Sequence, residues 1–538
     1  MKTRTFITLA LCASVVYPAT AAKHSGAVPV HILALNDFHG HIQADRTITV
    51  RGQKLPVGGA AWLTGIFRAR RAAQPGTLLV DAGDMVGASP PVSSLFRDEP
   101  TVEFLNMAHF DVGTLGNHEF DRGIPEMRRL WGGGVSKSSR YYPRPFPGAR
   151  FPMICANILD EKTGKTLFPP YLIKTVGAAR VGFIGAVTGE LAAVTSAASR
   201  KGVREIDPAT AINQWARYLG SHGVHSIVVL LHEGGTQEPP TPEGTLTGAV
   251  LDVADKLDQD VDVVVSAHSH QYTNAFRGKL LITQARSYGS AFAAIDLTVD
   301  LASGDIVRKK ATIVDAVHDG VKPANDVAAM VKSYEDAAAP RINKVVGELG
   351  ADMPTDRGPN SLLGALIADA QRESVHADVA FMNPGGVRAG LTKGKVTWGQ
   401  VFTCQPFNNQ VTVLHMTGAQ IKTALEQQWG AGSGGEARAT VLYPSGLTYD
   451  FDESQPYGAR VQNPTVGGAP LAETQVYAVA MNSFLAGGGD GFPEFATIKD
   501  RSLGPNDLDA LISYLAAHPG VIPEAGRVHA ASAPKTGG

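Results

Sequence analysis

Asp111-Val-Gly-Thr-Leu-Gly-Asn-His-Glu-Phe-Asp121 joins a short apolar run to a dense group of polar side chains. The run Asp111–Leu115 has the apolar and β-branched residues of a buried strand, and Asn117, His118 and Asp121 come in the loop behind it. In layered α/β proteins, ligands bind beyond the carboxyl ends of the strands, where the loops converge. The stretch therefore predicts a strand of an α/β sheet that ends at a functional site.

The same pattern of short strands and amphipathic helices extends on both sides of this stretch, from residue 29 to about 315. Further strands are predicted at Pro29–Leu35, Thr77–Asp81, Arg180–Ile184, Ser226–Leu231, Asp262–Ser266 and Lys279–Thr283. The spacing of apolar residues predicts helices at Ala60–Ala73 and Pro208–Ser221. Alternating strands and helices are typical of an α/β layered domain, and the proline-rich segments 140–152 and 239–244 are predicted to be surface loops.

A second unit follows a change of pattern between residues 318 and 345. Asp326–Ala339 is predicted to be a connecting helix that ends at Pro340, because proline lacks the N–H that a helix interior needs. Behind it, a helix is predicted at Leu362–Gln371 and strands at Ala377–Met382, Thr412–Met416 and Gln475–Met481. The chain of 538 residues is too long for one domain, so we expect a second, smaller mixed α/β domain here.

The charge balance excludes an obvious polyanionic partner. Lysine and arginine number 48 against 50 acidic residues, which gives a formal net charge of −2. Without a basic field, nucleic acid is not the expected partner, although local arginines can still bind small anions. A hydrophobic content of 44% and a charged content of 18% are those of a well-buried globular protein.

The first 22 residues have the pattern of an export signal. Lys2 and Arg4 precede the apolar run Phe6–Val16, which is too short to span a membrane, and the small residues Ala19–Ala22 follow. An ordinary buried strand or helix is the alternative. No later apolar stretch is long enough for a transmembrane helix, so the mature chain is expected in the periplasm or outside the cell.

Two cysteines lie beyond the predicted signal, Cys155 and Cys404. They are far apart in the chain, and Cys155 lies in an apolar run. Unpaired thiols in the core are therefore expected, although an oxidising compartment would also permit a disulfide.

Five motifs with metal-binding side chains each follow a predicted strand. They are Asn36-Asp37-Phe38-His39-Gly40, Gly83-Asp84-Met85, Gly116-Asn117-His118-Glu119-Phe120-Asp121, His232-Glu233-Gly234-Gly235 and Ala267-His268-Ser269-His270. Their candidate ligands are Asp37, His39, Asp84, Asn117, His232, His268 and His270. Imidazole and carboxylate groups suit zinc, manganese, cobalt and related divalent ions. Seven ligands are too many for one tetrahedral ion and suit two divalent ions that share a carboxylate, which Asp84 could provide.

Each motif taken alone has an ordinary structural alternative. An Asp-x-His turn more often exposes its histidine to solvent, His232 could be a hydrogen-bonded core residue, and Glu119 could start a helix. Apolar strands that all end in bare carboxylates and imidazoles would, however, incur repeated desolvation costs. The joint pattern therefore favours a metal site.

Together these motifs resemble those of calcineurin-like metallophosphoesterases. The motif Gly-Asn-His-Glu-Phe-Asp, followed by a second domain, resembles specifically the 5′-nucleotidase family, which includes periplasmic UDP-sugar hydrolases. The resemblance implies a four-layer sandwich, two sheets flanked by helices, at residues 23–320. It also implies a linker helix at residues 321–343 and a substrate-binding domain at residues 344–538.

The same resemblance distributes the ligands between two ions. The first ion would be held by Asp37, His39, Asp84 and His270, and the second by Asp84, Asn117, His232 and His268. The best-known bacterial members have glutamine where this chain has His270, and imidazole is also a competent ligand.

The expected chemistry is hydrolysis by a hydroxide that forms on the ions near neutral pH and attacks phosphorus in line. His118 follows the ligand Asn117 and is expected to face the substrate, where it can stabilise developing charge or protonate the leaving oxygen. Asp121 lies three residues further on, placed to orient that imidazole and keep it protonated. The resemblance assigns the same histidine–aspartate pair.

Substrate recognition is predicted for the second domain. Arg357 and Arg388 lie beside glycines, which let the backbone approach a phosphate that arginine can bind, although each arginine alone is more often a surface charge. The resemblance matches Arg357 and Arg388 to phosphate-binding arginines, Phe407 and Phe484 to the pair that stacks on the base, and Asn383 and Asp490 to polar contacts with the nucleoside. Stacking tolerates any base. Glycine is common in the family after the first aromatic, where this chain has Asn408.

The sequence therefore predicts an exported, metal-dependent phosphoric monoester hydrolase of the 5′-nucleotidase type, with UDP-sugars and nucleoside di- and triphosphates as further candidate substrates. One alternative is a 2′,3′-cyclic-nucleotide 2′-phosphodiesterase with 3′-nucleotidase activity. Another is a non-catalytic nucleotide-binding surface protein. Because the two half-sites lie in different domains, turnover requires the domains to close, and Asp326–Ala339 is the predicted hinge.

Overall fold

The computed structural model describes residues 26–50, 52–136, 145–430 and 441–530. The predicted signal at residues 1–22 lies outside the described residues.

In chain order the strands are β1 (Ala27–Leu35), β2 (Arg46–Val50), β3 (Gln53–Val57), β4 (Leu78–Asp81), β5 (Val112–Thr114), β6 (Met153–Ile154), β7 (Ile158–Asp160), β8 (Tyr171–Val176), β9 (Ala179–Val187), β10 (Val203–Glu205), β11 (Ser226–His232), β12 (Thr236–Glu238), β13 (Thr245–Thr247), β14 (Val263–Val265), β15 (Tyr272–Arg277), β16 (Leu280–Ala285), β17 (Ala291–Asp300), β18 (Ile306–Asp315), β19 (Val345–Leu349), β20 (Val379–Met382), β21 (Gly394–Thr397), β22 (Gln410–Thr417), β23 (Tyr443–Ser445), β24 (Leu447–Phe451), β25 (Val461–Val466), β26 (Ala469–Pro470), β27 (Val476–Asn482), β28 (Arg501–Asn506) and β29 (Val528–Ala530). The α-helices are α1 (Ala60–Ala73), α2 (Pro91–Ser94), α3 (Glu99–Ala108), α4 (Gly123–Gly132), α5 (Leu191–Val194), α6 (Pro208–Ser221), α7 (Ala249–Ala254), α8 (Asn325–Ile342), α9 (Leu362–Ser374), α10 (Trp398–Cys404), α11 (Gly418–Glu426), α12 (Ser483–Ala486), α13 (Pro493–Thr497) and α14 (Asp507–Ala517).

Two six-stranded sheets face each other in the first unit of the chain. The first has the strand order β18-β17-β1-β4-β5-β6, and the second has the order β15-β16-β14-β11-β9-β8. Apolar side chains of both sheets, among them Val30, Val80, Phe183 and Val228, form one buried core between them. Helices α1, α3 and α8 pack on the outer side of the first sheet, and α6 and α7 pack on that of the second. The predicted sandwich of two sheets flanked by helices is confirmed.

The inner strands of both sheets are parallel. β1, β4, β5 and β6 run in one direction in the first sheet, and so do β9, β11, β14 and β16 in the second. β11 is buried at every position, as expected for a parallel strand covered on both faces. Because parallel strands end at the same edge of a sheet, the loops that follow β1, β4 and β5 lie together.

The predicted elements of this unit are present. α1 and α6 have the predicted bounds, and each predicted strand overlaps a strand of one of the two sheets. Segment 239–244 is an exposed loop between β12 and β13, as predicted. Predicted loop 140–152 lies partly outside the described residues, and its described part forms neither a helix nor a strand of the sheets.

Helix α8 differs from the predicted connecting helix. It continues through Pro340 to Ile342, so the prediction that it ends at Pro340 is wrong. Pro340 lies in the last turn, where its missing N–H removes a single helical hydrogen bond, and Ile342 packs against the apolar core of the first unit. Val327 and Tyr334 are buried in that same core. The chain therefore leaves the helical layer of the first unit only after α8 has ended.

The second unit is built on the five-stranded sheet β23-β20-β27-β22-β28. Helices α9 and α14 cover one face of this sheet, and α11 and α13 cover the other. The predicted strands Ala377–Met382, Thr412–Met416 and Gln475–Met481 are found as β20, β22 and β27. The smaller mixed α/β unit is thus present.

Both cysteines beyond the predicted signal are free and buried, Cys155 in the first unit and Cys404 in the second. Burial raises the pKa of each thiol to about 12. The expectation of unpaired core thiols is confirmed, and neither thiol is a reactive thiolate near neutral pH.

Candidate metal centre

The predicted ligands meet at the edge where the parallel strands end. Asp37 and His39 follow β1, Asp84 follows β4, Asn117 follows β5, His232 ends β11, and His268 and His270 follow β14. Asp84 Oδ2 is 3.1 Å from His232 Nε2 and 3.6 Å from His39 Nε2. His270 Nε2 is 3.2 Å from His39 Nε2 and 3.4 Å from Asp37 Oδ1.

The donor atoms fall into two neighbouring groups that a third group joins. The first group comprises Asp37, His39 and His270, and the second comprises Asp84, His232 and His268. His39, Asp84 and His118 form the group between them, and the donor atoms of each group lie within 4.8 Å of one another. Asn117 joins the second group, because its Oδ1 is 3.1 Å from His232 Nε2. The sequence motifs therefore converge in space, as a divalent metal centre requires.

The orientation of the imidazoles fits metal binding. His39 Nδ1 is 2.8 Å from the carbonyl oxygen of Gly87, and His232 Nδ1 is 3.0 Å from that of Ala82. A proton on each Nδ1 donates to the carbonyl oxygen, which leaves the Nε2 lone pair facing the centre. The Nε2 atoms of His39 and His270 face each other at 3.2 Å, a separation at which the two nitrogens can share one proton or turn to one cation.

The backbone at this edge is strained in a way typical of functional sites. Five of the ligand candidates have left-handed backbone, with φ values of 49° at Asp37, 48° at His39, 52° at Asp84, 73° at His268 and 59° at His270. Residues other than glycine rarely adopt this conformation, and it persists only where the surrounding structure enforces it.

Two glycines and Glu119 hold the loops after β4 and β5 together. A Cβ atom on Gly116 would lie 2.2 Å from Asp84 Oδ1, and one on Gly83 would lie 2.6 Å from the Gly116 backbone nitrogen. The Glu119 carboxylate accepts hydrogen bonds from the backbone N–H groups of Gly116, Asp84 and Met85. Glu119 therefore braces the ligand loops.

Electrostatics put Asp84 and His268 in their metal-binding protonation states, whereas His232 holds a proton that a metal ion would have to displace. Burial raises the pKa of Asp84, but His232 and His118 outweigh burial and bring that pKa well below its ordinary value. Burial, reinforced by His232, lowers the pKa of His268 to about 3. For His232 itself, burial lowers the pKa, but the Asp84 and Asp37 carboxylates outweigh it and raise the pKa to about 10. Asp84 is ionised and His268 is neutral, the states in which each binds a cation.

His118 and Asp121 form the predicted pair beside this centre. His118 Nδ1 is 2.9 Å from Asp121 Oδ2, and the His118 backbone N–H donates to Asp84 Oδ1 at 2.8 Å. Burial lowers the pKa of His118, but the Asp121 and Asp84 carboxylates outweigh burial and raise it. Because Nδ1 donates to Asp121, Nε2 is the nitrogen left to act on a substrate.

Two residues at the centre were not singled out in the sequence. Asn36 Nδ2 donates to Asp37 Oδ2 at 2.7 Å, and the Tyr288 ring lies 5.6 Å from that of His39 and 5.1 Å from that of His270. Asn36 stands beside a ligand in a quoted motif, so its position could have suggested its role. Tyr288 follows a different strand and has no such signal.

The predicted nucleoside-binding residues lie together in the second unit. Asn383 Nδ2 donates to Asp490 Oδ2 at 2.6 Å. The Phe484 ring packs over the Gly489 backbone, where a Cβ atom would lie 2.4 Å from the ring. Arg357 lies exposed in the loop before α9, and no acidic partner for it is found among the described residues.

Phe407 and Arg388 bring the second unit to the metal centre. The Phe407 ring stacks on that of His118, with centroids 5.8 Å apart and planes inclined by 17°. The Arg388 guanidinium lies 5.9 Å from the Phe407 centroid. Helix α5 of the first unit also contacts the 3₁₀ turn Gly489–Gly491 of the second. The two predicted half-sites therefore meet across one cleft.

Asn408 occupies the position where the resemblance leads one to expect glycine. Its φ is 56°, a left-handed value that glycine adopts freely and asparagine tolerates. Its Oδ1 accepts a hydrogen bond from Asn506 Nδ2 at 3.1 Å, and the Asn409 carbonyl accepts one from the Asp507 backbone N–H at 2.9 Å. The loop of Phe407 is therefore tied to the start of α14, a contact that the sequence did not suggest.

Family models match both units of the chain. Residues 30–272 match the calcineurin-like phosphoesterase model, and residues 341–497 match the 5′-nucleotidase C-terminal domain model. These ranges fall on the first and second units, and the first range includes the proposed metal ligands, which span residues 37–270.

Relatives of known name resemble the chain over most of its length. The cell wall protein Lmo0130 of Listeria monocytogenes is 34% identical over 92% of this chain and 68% of its own length. Endonuclease YhcR of Bacillus subtilis is 35% identical over 91% of this chain, which spans 40% of the length of that relative. Among solved structures, the 5′-nucleotidase precursor of Thermus thermophilus superposes with a TM-score of 0.78 at 27% identity and covers 94% of this chain and 100% of its own.

Proposed function

Because this chain belongs to the 5′-nucleotidase family of calcineurin-like phosphoesterases, we propose that it hydrolyses nucleoside 5′-monophosphates to nucleoside and phosphate. The observation that supports this most directly is the contact of Phe407, a base-stacking candidate, with His118 beside the metal-ligand cluster. A base held at Phe407 would have its 5′-phosphate within reach of the metal centre.

Two divalent ions, of zinc, manganese, cobalt or a similar metal, suit the ligand set. The first would be held by Asp37, His39, Asp84 and His270, and the second by Asp84, Asn117, His232 and His268. Such ions, when bound, activate water and neutralise the phosphoryl oxygens. The chain itself orients the ligands through backbone carbonyls and through the Glu119 carboxylate.

His118 acts on the leaving group. Its Nδ1–H donates to Asp121, so the Nε2 proton is the one that passes to the ester oxygen as the bond from that oxygen to phosphorus breaks. Asp121 holds the imidazole in this orientation and raises its affinity for the proton. Stacking of Phe407 on His118 shields the pair from water on that side.

The second unit binds the rest of the nucleotide. Arg388 and Arg357 bind phosphate oxygens, with Arg388 already beside the centre. Phe407 and Phe484 stack on the base, and Asn383 with Asp490 contacts the nucleoside. Stacking on rings gives broad base specificity.

A phosphodiester substrate is the second candidate, since the Bacillus subtilis relative is named an endonuclease. The same ligands could act on 2′,3′-cyclic nucleotides as well. The net charge of −2 disfavours a long nucleic acid strand as the main substrate. A non-catalytic nucleotide-binding protein is disfavoured, because binding alone has no use for the His118–Asp121 pair.

The chain is exported, to the periplasm or beyond the cell. The pattern of residues 1–22 supports this, as does the similarity to a protein named for the cell wall. Among the described residues, no helix has both the length and the apolar character needed to cross a bilayer.

The decisive experiment is phosphate release from a substrate panel by chelated and metal-reconstituted protein. The panel contains nucleoside 5′-, 3′- and 2′,3′-cyclic phosphates, a UDP-sugar and a short single-stranded oligonucleotide. We expect the 5′-monophosphates to have the highest kcat/KM, with activity lost on chelation and restored by manganese, cobalt or zinc. Preference for the cyclic diester or the oligonucleotide would replace the proposed function, and chelator-resistant activity would refute the metal mechanism.

A further inference from the structure

Asn482 is a buried residue to which the proposed mechanism gives no role. It ends β27 with 1% of its surface exposed, and α12, which contains Phe484, begins directly behind it. β27 and β20 are parallel neighbours, so Asn383, the first residue beyond β20, lies next to Asn482. This asparagine is therefore situated between two groups of nucleoside-binding candidates.

A backbone N–H fixes which atom of the Asn482 amide faces which neighbour. The Leu485 backbone N–H donates to Asn482 at 2.8 Å, and only the amide oxygen Oδ1 can accept that bond. Nδ2 is therefore the atom that faces Asn383, and it donates to Asn383 Oδ1 at 2.8 Å. The Asn383 amide is oriented in turn, so that its Nδ2 donates to Asp490 Oδ2 at 2.6 Å. The direction of each bond in this chain follows from the first one.

Reversal of the Asn383 amide would bring like atoms together at both of its ends. Its Nδ2 would face Asn482 Nδ2, and its Oδ1 would face the Asp490 carboxylate. Asn383 is only 2% exposed, so solvent cannot replace a lost partner, and buried polar groups without partners are strongly disfavoured. One orientation of Asn383 is thus selected for as long as Asn482 donates to it.

The same side chain also caps the helix that carries a stacking ring. Asn482 is the N-cap residue of α12 (Ser483–Ala486), where its Oδ1 accepts the N–H that the first turn leaves unpaired. Phe484 belongs to this turn, and its ring packs over Gly489, directly before Asp490. Both ends of one amide therefore lead to residues that are predicted to contact the nucleoside.

We propose that Asn482 is a positioning residue for nucleoside recognition, which acts by presenting Asn383 Nδ2 to Asp490. The inference rests on the proposed function and adds a residue that supports the nucleoside contacts without touching the substrate. The side-chain hydrogen bonds of Asn482 lie within the second unit, so its loss should weaken binding of the nucleoside and leave binding of phosphate at the metal centre unchanged.

The variant Asn482→Ser removes the donor and keeps the cap. A serine hydroxyl can accept from the Leu485 N–H, but the shorter side chain cannot reach Asn383 as well. We expect KM for adenosine 5′-monophosphate and the inhibition constant of adenosine each to rise about tenfold, while kcat changes less than about twofold. The inhibition constant of inorganic phosphate, which has no nucleoside, should stay the same.

Asn157→Ser is the matched control. Asn157 is fully buried in the first unit, where its Nδ2 donates to the Val187 carbonyl at 2.8 Å and its Oδ1 accepts from the Val187 N–H at 2.9 Å. This variant also loses a buried amide, so we expect a lower Tm with the two inhibition constants in their original ratio.

Two further variants show whether Asn482 acts through Asn383. Asn482→Asp accepts from the Leu485 N–H but cannot donate, so it should weaken adenosine binding as the serine variant does. In an Asn383→Ala background, Asn482→Ser should add little to the loss. Additive losses there would overturn the proposal, as would an unchanged inhibition constant for adenosine or an equal rise for adenosine and phosphate.

Thermal unfolding of each variant completes the test. If the serine and aspartate variants both fail to fold, Asn482 is a structural residue and the proposal is wrong. Failure of the proposed function has a different result, because the unaltered, metal-reconstituted protein would then release no phosphate from any nucleoside monophosphate. The dissociation constant of adenosine, measured by calorimetry, would still decide whether Asn482 positions a nucleoside site.

Discussion

At the scale of single residues, hydrogen bonds decide which atom of each side chain faces the centre. His39 and His232 each direct Nδ1 to a backbone carbonyl, and Asp121 takes Nδ1 of His118. In all three residues Nε2 is therefore the ring nitrogen that faces the centre. This arrangement fits the proposed roles, which are metal binding for His39 and His232 and proton transfer for His118.

Replacement of His118 by alanine should separate these two roles. We expect His118→Ala to retain its metal content while kcat falls about 100- to 10,000-fold, the range for loss of a general acid. Metal analysis of the purified variant together with steady-state kinetics provides the measurement. Loss of metal with unchanged turnover per bound ion would assign His118 to the ligands instead.

Asp507 predicts a pH dependence of stability. Burial raises the pKa of this carboxyl to about 7 in the folded chain, far above its ordinary value. The folded state then binds the proton more tightly than the unfolded state, so the stabilisation is complete at low pH and is lost as pH rises through 7. We expect the Tm to fall between pH 6 and pH 8 (roughly one unit either side of that pKa) more steeply in the unaltered protein than in Asp507→Asn. Parallel Tm curves for the two proteins would contradict the assignment.

At the scale of the elements, the ends of the strands position the candidate ligands, and a few hydrogen bonds fix the loops that follow them. Glu119 binds three backbone N–H groups from two loops, and the start of α14 holds the loop of Phe407 through Asn408 and Asn409. Ser483 Oγ also donates to Asn409 Oδ1 at 3.1 Å, and Ser483 directly precedes Phe484. The two stacking candidates therefore belong to loops that are linked to each other.

Asn408→Gly should loosen one of these loops without disturbing its backbone conformation. Glycine accepts the left-handed φ but loses the hydrogen bond to Asn506 and adds chain flexibility. We expect KM for a nucleoside monophosphate to rise about fivefold, with little change for ribose 5-phosphate, which has no base to stack. Asn463→Gly is the control, because Asn463 has a φ of 48° on the distant hairpin of β24 and β25 and bonds to Asp450. Equal changes for both substrates would show a general loss of structure.

At the scale of the whole molecule, the proposed mechanism depends on how the two units meet. Phe407 and Arg388 lie at the centre, and the two units also touch where α10 contacts α2 and α8 and where the turn Gly489–Gly491 contacts α5. The hinge was predicted within Asp326–Ala339, but α8 packs into the first unit. We therefore propose the hinge at the end of α8, near the Trp398 N–H that donates to the Lys344 carbonyl at 2.7 Å. A closed cleft must open for a nucleotide to enter.

A disulfide engineered between α5 and the turn Gly489–Gly491 should lock this closed arrangement. We expect oxidation to abolish turnover and reduction to restore it, because substrate and product can no longer exchange. The native thiols are buried and will not compete. Full activity in the oxidised protein, with cross-linking verified by mass, would remove the requirement for opening.

The sequence by itself determined the local features of this protein. Continuous apolar runs predicted the parallel strands, helical spacing predicted α1 and α6 to the residue, and polar motifs behind the strands named the candidate ligands. Each of these patterns lies within a few neighbouring residues, because burial and side-chain chemistry act locally along the chain. Such patterns can therefore be recognised without a structure. The ligand roles themselves remain proposals.

Only the tertiary structure decided which distant residues meet. The periodicity of apolar residues predicts that α8 has a buried face. It does not predict that this face packs against the core of the first unit, or that the helix continues through Pro340; both follow from packing. The stacking of Phe407 on His118, the tie of Asn408 to Asn506 and the bond of Asn482 to Asn383 each join residues far apart in the chain. Such pairings depend on shape and distance in three dimensions, which a one-dimensional pattern of residue types does not contain.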